Sequence, residues 1–250
     1  MVYASGIIEV RYYICMNEKV LWHIQSLWEE ALKKHPKEDT LTQSWDHISQ
    51  RFTQVTHWDP CLSPQPVMSD EAGEYHGLFQ DVYLFGTSIT PIYIFDNHHK
   101  ALFAFLDSKE NTGQILPVVH IDAHPDDAPS AYSEGIIFEE NINKAYSQSR
   151  ICDFLDTAEK GGLIRETMRV VTSAEFERFS PPDGPFILSL DIDIFGPEGG
   201  YIELDQKIKT IARAWQQAVV ITIATSPGFI DQEYAWKIIK SMLGLSEDVL

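Results

Sequence analysis

A chain of 250 residues, 44% hydrophobic and 22% charged, can bury a substantial core, which excludes intrinsic disorder. Its 37 acidic against 19 basic residues give a formal charge of −18, so a nucleic-acid partner, which needs a basic footprint, is excluded. No apolar run is long enough for a transmembrane helix, no secretory pattern opens the chain, and Cys15, Cys61 and Cys152 form neither a disulfide framework nor a CxxC motif; a cytoplasmic protein with reduced thiols and no membrane partner is expected.

Near the N-terminus, Val20, Leu21, Ile24, Leu27, Trp28, Ala31 and Leu32 make a helical stripe over residues 17–35, with Asn17 as N-cap and Pro36 past the end. Leu41, Trp45, Ile48 and Phe52 predict a second amphipathic helix. Trp22, Trp28, Trp45 and Trp58 crowd this part; such residues either dock a peptide or, more commonly, pack onto a core. Residues 59–77 read as a long loop. Strands are then predicted at 89–96, 114–122, 168–173, 185–195 and 218–225, with a short helix at 99–106 and longer ones at 204–217 and 231–243. Buried strands alternating with helices predict an α/β fold: a three-layer α/β/α arrangement around a mainly parallel sheet, residues 1–250 forming one domain and residues 1–90 a helical elaboration of it.

In such sheets, ligands bind beyond the carboxyl ends of the strands, and the unusual residues of this chain fall there. "VVHIDAHPDD" places His120, Asp122, His124, Asp126 and Asp127 at one strand end. "SLDIDIF" places Asp191 and Asp193 at another, and "FDNHHKA" places Asp96, His98 and His99 at a third. Residues two apart on a strand share a face, so His120, Asp122 and His124 can point together. A lone Asp at a strand end is usually a helix cap or solvated, and a lone His is usually structural. Asp122, Asp126, Asp191 and Asp193 brought close, however, raise one another's pKa values, and two divalent cations neutralise them in full. Imidazole and carboxylate donors without thiolate favour manganese or a similar metal over structural zinc. His120 is read as a hydrogen-bonding support behind a ligand. Asp127 is left open between solvent and substrate contact.

"DAHPD" at 122–126 and "SLDID" at 189–193 resemble the metal motifs of the ureohydrolase superfamily of arginase and agmatinase. "FDNHHKALFAF" and "TIATSPGFI" look closer to a related family that includes the peptide arginases, which turn arginine residues of ribosomally made precursor peptides into ornithine. The likeness spans residues 91–243 and implies an arginase-like core with two Mn2+ ions. It assigns His98, Asp122, Asp126 and Asp191 to one ion and Asp122, His124, Asp191 and Asp193 to the other, with His99 the alternative to His98. It implies hydrolysis of a guanidino C–N bond by an activated hydroxide, with Asp126 returning a proton to the leaving amine. Asp122, Asp126 and Asp191 are the catalytic set.

Two departures qualify the substrate. Ala128 stands where free-arginine enzymes carry an Asn for the amino acid's own backbone groups, which favours an arginine inside a peptide, a partner that residues 1–90 could contact. Ala224 stands where those enzymes carry a guanidinium-binding Glu; Glu139, Glu140 and Asp127, with Glu134, Asp231 and Glu233, are the replacements the sequence offers, although Asp231 is also a natural N-cap. The other readings kept open are a deacetylase-like metal amidohydrolase and a metal-stabilised binding protein without turnover.

Overall fold

The structure, a computed structural model, describes residues 53–55, 59–70, 73–86 and 89–243. The helices expected at 17–35 and 41–52, the four N-terminal tryptophans and Cys15 lie outside the described residues; Cys61 and Cys152 are free thiols. In chain order the strands are β1 (Thr53–Val55), β2 (Met68–Asp70), β3 (Gly73–Tyr75), β4 (Val82–Gly86), β5 (Ile89–Phe95), β6 (Val118–Ile121), β7 (Thr167–Val170), β8 (Ile187–Asp191) and β9 (Val220–Ala224). The α-helices are α1 (Ala101–Thr112), α2 (Ile142–Gln148), α3 (Phe154–Lys160), α4 (Ser173–Arg178), α5 (Leu204–Trp215) and α6 (Gln232–Met242).

Seven strands form one sheet in the order β1-β4-β5-β9-β8-β6-β7. β5, β9, β8, β6 and β7 run parallel, and β4 runs antiparallel to β5. β6, β8 and β9 are buried at every position, as runs of Val, Ile and Leu covered on both faces must be. Alternate residues of β5, β6, β8 and β9 fall into two separate apolar clusters, one for each face of the pleat. One cluster takes Phe95, Val118, Ile187 and Val220 with Leu102, Phe105, Phe154 and Leu155 of α1 and α3. The other takes Ile94, Ile121, Leu190 and Ile223 with Phe176, Ile211 and Ile238 of α4, α5 and α6. The fold is therefore α/β in three layers around a mixed, mostly parallel sheet.

The connections set the site. β6 leads through α2 and α3 to β7 on one side, whereas its neighbour β8 leads through α5 to β9 on the other. The crevice between the carboxyl ends of β6 and β8 is thus a topological switch point, with β5 and β9 completing its wall.

Several expectations need correction. Residues 59–77 are not all loop: β2 and β3 pair antiparallel, and Leu62 bridges to Leu78. β4 and the short helices α2, α3 and α4 were not foreseen. The second predicted strand begins at Val118, after Pro117, rather than at 114. The helix predicted to end at Leu106 continues to Thr112 and stops at Gly113, whose φ of 66° is the left-handed C-cap that glycine supplies. The strand expected through residue 195 ends at Asp191 and turns into a 3-10 helix, Ile192–Phe195. Among the described residues, no helix is long and apolar enough to cross a membrane.

Candidate metal centre

Each element delivers its side chain for a local reason. β5 ends at Phe95, and a 3-10 turn, His98–Lys100, then aims His98 inward and His99 outward, where its ring stacks on Tyr146 with centroids 4.7 Å apart. The choice between the two resolves to His98. β6 carries His120 and, one residue past its end, Asp122 on the same face. The loop after it is held from outside by Arg169, whose Nε donates to the Pro125 carbonyl at 2.7 Å. β8 ends on Asp191, whose Oδ1 accepts from the Asp193 N–H at 2.9 Å and so caps the turn that swings Asp193 into the crevice. Asp191 and Asp193 therefore meet through a capped turn and not through strand alternation.

His98, His120, Asp122, His124, Asp126, Asp191 and Asp193 all converge here. His98 Nδ1 lies 2.8 Å from Asp191 Oδ2 and 3.3 Å from Asp122 Oδ2, and its Nε2 lies 3.1 Å from Asp126 Oδ2. His124 Nδ1 lies 2.9 Å from Asp193 Oδ2 and 3.3 Å from Asp122 Oδ1. His120 Nε2 lies 3.1 Å from Asp122 Oδ2. Three overlapping trios could each hold a metal ion: His98, Asp122 and Asp191; His120, Asp122 and Asp126; and Asp122, His124 and Asp193. Asp122 belongs to all three and is fully buried.

The protons in this cluster are frustrated. Burial alone would lower the His98 pKa, yet the close carboxylates of Asp122, Asp191 and Asp126 hold it well above the ordinary range. Burial, followed by the charge of Asp191, pushes Asp193 well up. Asp122 goes the other way: burial would raise it, but the three histidines together drive it well below the carboxylate range. The close carboxylates of Asp122 and Asp193 raise His124 to about 11. Despite these short distances, His98 Nδ1, His120 Nε2, Asp122 Oδ2, Asp126 Oδ2 and Asp193 Oδ2 are buried and make no aligned hydrogen bond. Buried polar atoms without partners are costly, and here they face one another around a common centre. These buried groups could hold a metal ion.

No family model and no curated protein matches the chain. What the cluster can do is set by its donors and surroundings. Sequence reasoning missed three contributors. Glu198 contacts His124 Nε2, on the side of the ring away from Asp193. Ser226 Oγ donates to Asp191 Oδ2. Phe154 stacks on His98 at 4.9 Å and meets the His120 ring edge-on at 5.7 Å. Ser226 lies within "TIATSPGFI" and Glu198 shortly after "SLDID", so their places in the chain were a signal; Phe154 has no such relation to the motifs.

Of the expected guanidinium carboxylates, Glu139 and Glu140 are exposed in the turn before α2, and Asp127 is exposed beside Asp126; none contacts the cluster. Glu134 pairs with Lys144, and Asp231 caps α6 by accepting from the Tyr234 N–H, as a residue opening a helix does. An open groove of about 460 Å³ adjoins the crevice, lined among others by Glu74, Tyr75, Pro197, Phe229 and Asp231. Phe229 joins the two, since its ring also lies 4.9 Å from that of His124.

Proposed function

We propose that the chain is a ureohydrolase-like, dinuclear metal hydrolase that cuts the guanidino C–N bond of an arginine side chain within a peptide, leaving ornithine and urea. The observation that carries this reading is the convergence of His98, Asp122, Asp126, His124, Asp191 and Asp193, with unpartnered inward atoms, at one strand-end crevice. His98, Asp122, Asp126 and Asp191 would hold an inner ion, and Asp122, His124, Asp191 and Asp193 an outer one. Manganese suits carboxylate-rich donors without thiolate. When bound, such ions supply Lewis acidity and bring the pKa of a water molecule toward neutrality.

The chain's own groups do the rest. Asp126 passes a proton to the departing side-chain amine. Glu198, at the outer side of His124, is the carboxylate placed to accept the guanidinium N–H groups, replacing the acid absent at Ala224. Ala128 offers no side-chain amide for free α-amino and α-carboxylate groups, and its backbone N–H is taken by the Cys152 carbonyl. The adjoining groove has room for main chain on either side of an arginine, and Glu74 and Asp231 on its walls suit a cationic peptide.

The test is to load the purified chain with Mn2+, supply arginine-containing peptides or free arginine, and measure urea and the change of peptide mass from arginine to ornithine. Urea from peptides and not from the free amino acid is expected. A fully metal-loaded chain that releases none from any arginine peptide overturns the assignment. One zinc per chain with hydrolysis of acetyl-lysine peptides would replace it with the deacetylase-like reading.

A further inference from the structure

We propose that His120 is itself a metal ligand, so that the inner ion is held by two imidazoles, those of His98 and His120. The inference rests on the metal-binding part of the reading above and is independent of the reaction assigned to it.

His120 is completely buried, and its two nitrogens face different surroundings. Nδ1 lies 3.3 Å from the hydroxyl of Ser189, its register partner across the β6–β8 ladder. Nε2 points the other way, 3.1 Å from Asp122 Oδ2 and 3.5 Å from Asp126 Oδ2, and makes no aligned hydrogen bond to either. A neutral imidazole has one donor and one acceptor nitrogen. Nδ1 is engaged by Ser189, so Nε2 is the nitrogen left toward the two carboxylate oxygens at this buried point.

His120, Asp122 and Asp126 form a buried trio that could hold a metal ion, and the His120 ring lies 6.1 Å from that of His98, which faces the same two carboxylates. A divalent ion satisfies both imidazoles and the unpartnered oxygens of Asp122 and Asp126 at once. The supports are those of a ligand: Ser189 engages the nitrogen that faces away from the carboxylates, and Phe154, packed on both rings, holds their planes.

The two positions then differ chemically. The inner ion has two imidazoles with the carboxylates of Asp122, Asp126 and Asp191, whereas the outer ion has one imidazole with carboxylates. More nitrogen raises preference for cobalt over manganese, so the inner position should take Co2+ the more tightly.

The experiment titrates metal-free protein with Co2+ alone, following heat and visible absorption, for the wild type, His120→Ala and His120→Asn. Two binding classes are expected in the wild type. In either variant the tighter class weakens by about tenfold or more, and added imidazole restores part of it in His120→Ala. Because a variant with a changed core residue can misfold, the decisive measurement also uses the unaltered chain. In the Co2+-loaded wild type, shifted imidazole N–H resonances from His98, His120 and His124 are expected. Signals from His98 and His124 alone, or folded variants with wild-type Co2+ affinities and spectrum, overturn the His120 assignment and leave the dinuclear reading standing. A wild-type chain that binds no metal overturns both.

Discussion

Asp126 brings its carboxylate to the cluster at a backbone φ of 43°, and Ser226, which hydrogen-bonds Asp191, sits at 45°. Among the described residues these are the non-glycine positions in left-handed conformation, and both serve the crevice. Such strain persists where the surroundings over-determine it, and Asp and Asn tolerate it best. Asp126→Asn should therefore fold normally. Without metal its urea midpoint should fall below that of the wild type, since the charge that His98 and His120 face has been removed. Its manganese affinity should fall by about tenfold or more, read by calorimetry. His99 makes a second, separate prediction. Burial, then the charges of His98 and Lys100, lower its pKa to about 4, against an unfolded value of about 6.5. The unfolded chain thus takes up a proton that the folded one refuses, so this contribution is complete above pH 6.5 and is lost as pH falls toward 4. The loss amounts to roughly 3 kcal/mol. Urea midpoints of the metal-free protein, compared with those of His99→Phe, which keeps a ring against Tyr146, should show the variant losing less stability across that window.

The 3-10 turn Glu198–Tyr201 carries Glu198 to His124, and its tightness depends on Gly199. A Cβ at Gly199 would sit 2.0 Å from the Ile194 carbonyl oxygen, an immovable backbone atom, whereas one at Gly200 would meet nothing within 4 Å. Gly199→Ala should cost about 1–3 kcal/mol by overpacking and weaken the outer metal position, whereas Gly200→Ala should leave both unchanged. Thermal melts and manganese titrations of the two variants check this. Element by element, the sequence was most legible where patterning is strong. β5, β6, β8 and β9 are Val-, Ile- and Leu-rich runs that only a doubly covered sheet can use, and α5 and α6 show clear helical spacing. α2, α3 and α4, of six or seven residues, are too short for periodicity to emerge. β4 hides because its pairing with β5 is irregular, with a register shift between Leu84 and Gly86 opposite the stretch of β5 that holds Pro91. At the site, the candidate residues were legible from their position at strand ends, although a capped turn and not alternation brings in Asp193. Phe154 was not, because tertiary packing alone brings it in.

At the scale of the whole molecule, the cluster joins the carboxyl ends of strands that the ladders and the two apolar clusters already hold side by side. His98 follows β5, Asp122 follows β6, Asp191 ends β8, and Ser226 after β9 donates to Asp191 while its backbone N–H binds the Asp96 carbonyl. In a chain of formal charge −18, four buried carboxylates at this junction work against the fold, and cations bound there should fasten it. A site occupied at one hundred times its dissociation constant adds about 2.7 kcal/mol, because the ion binds the folded state in preference to the unfolded one. For a chain of this size each kcal/mol raises the melting midpoint by about 2–4 °C, so two filled sites should raise it by roughly 10–20 °C. Sodium chloride at matched ionic strength screens surface charge without filling a buried site, so it should give only a small part of that rise. Hydrogen exchange locates the effect: amides at the carboxyl ends of β5, β6 and β8 should slow on adding manganese, and those of the β2–β3 hairpin should not. Equal rises with manganese and with sodium chloride, or protection spread evenly over the sheet, would mean that the ions act on the protein's overall charge and that the strand-end cluster is not where they bind.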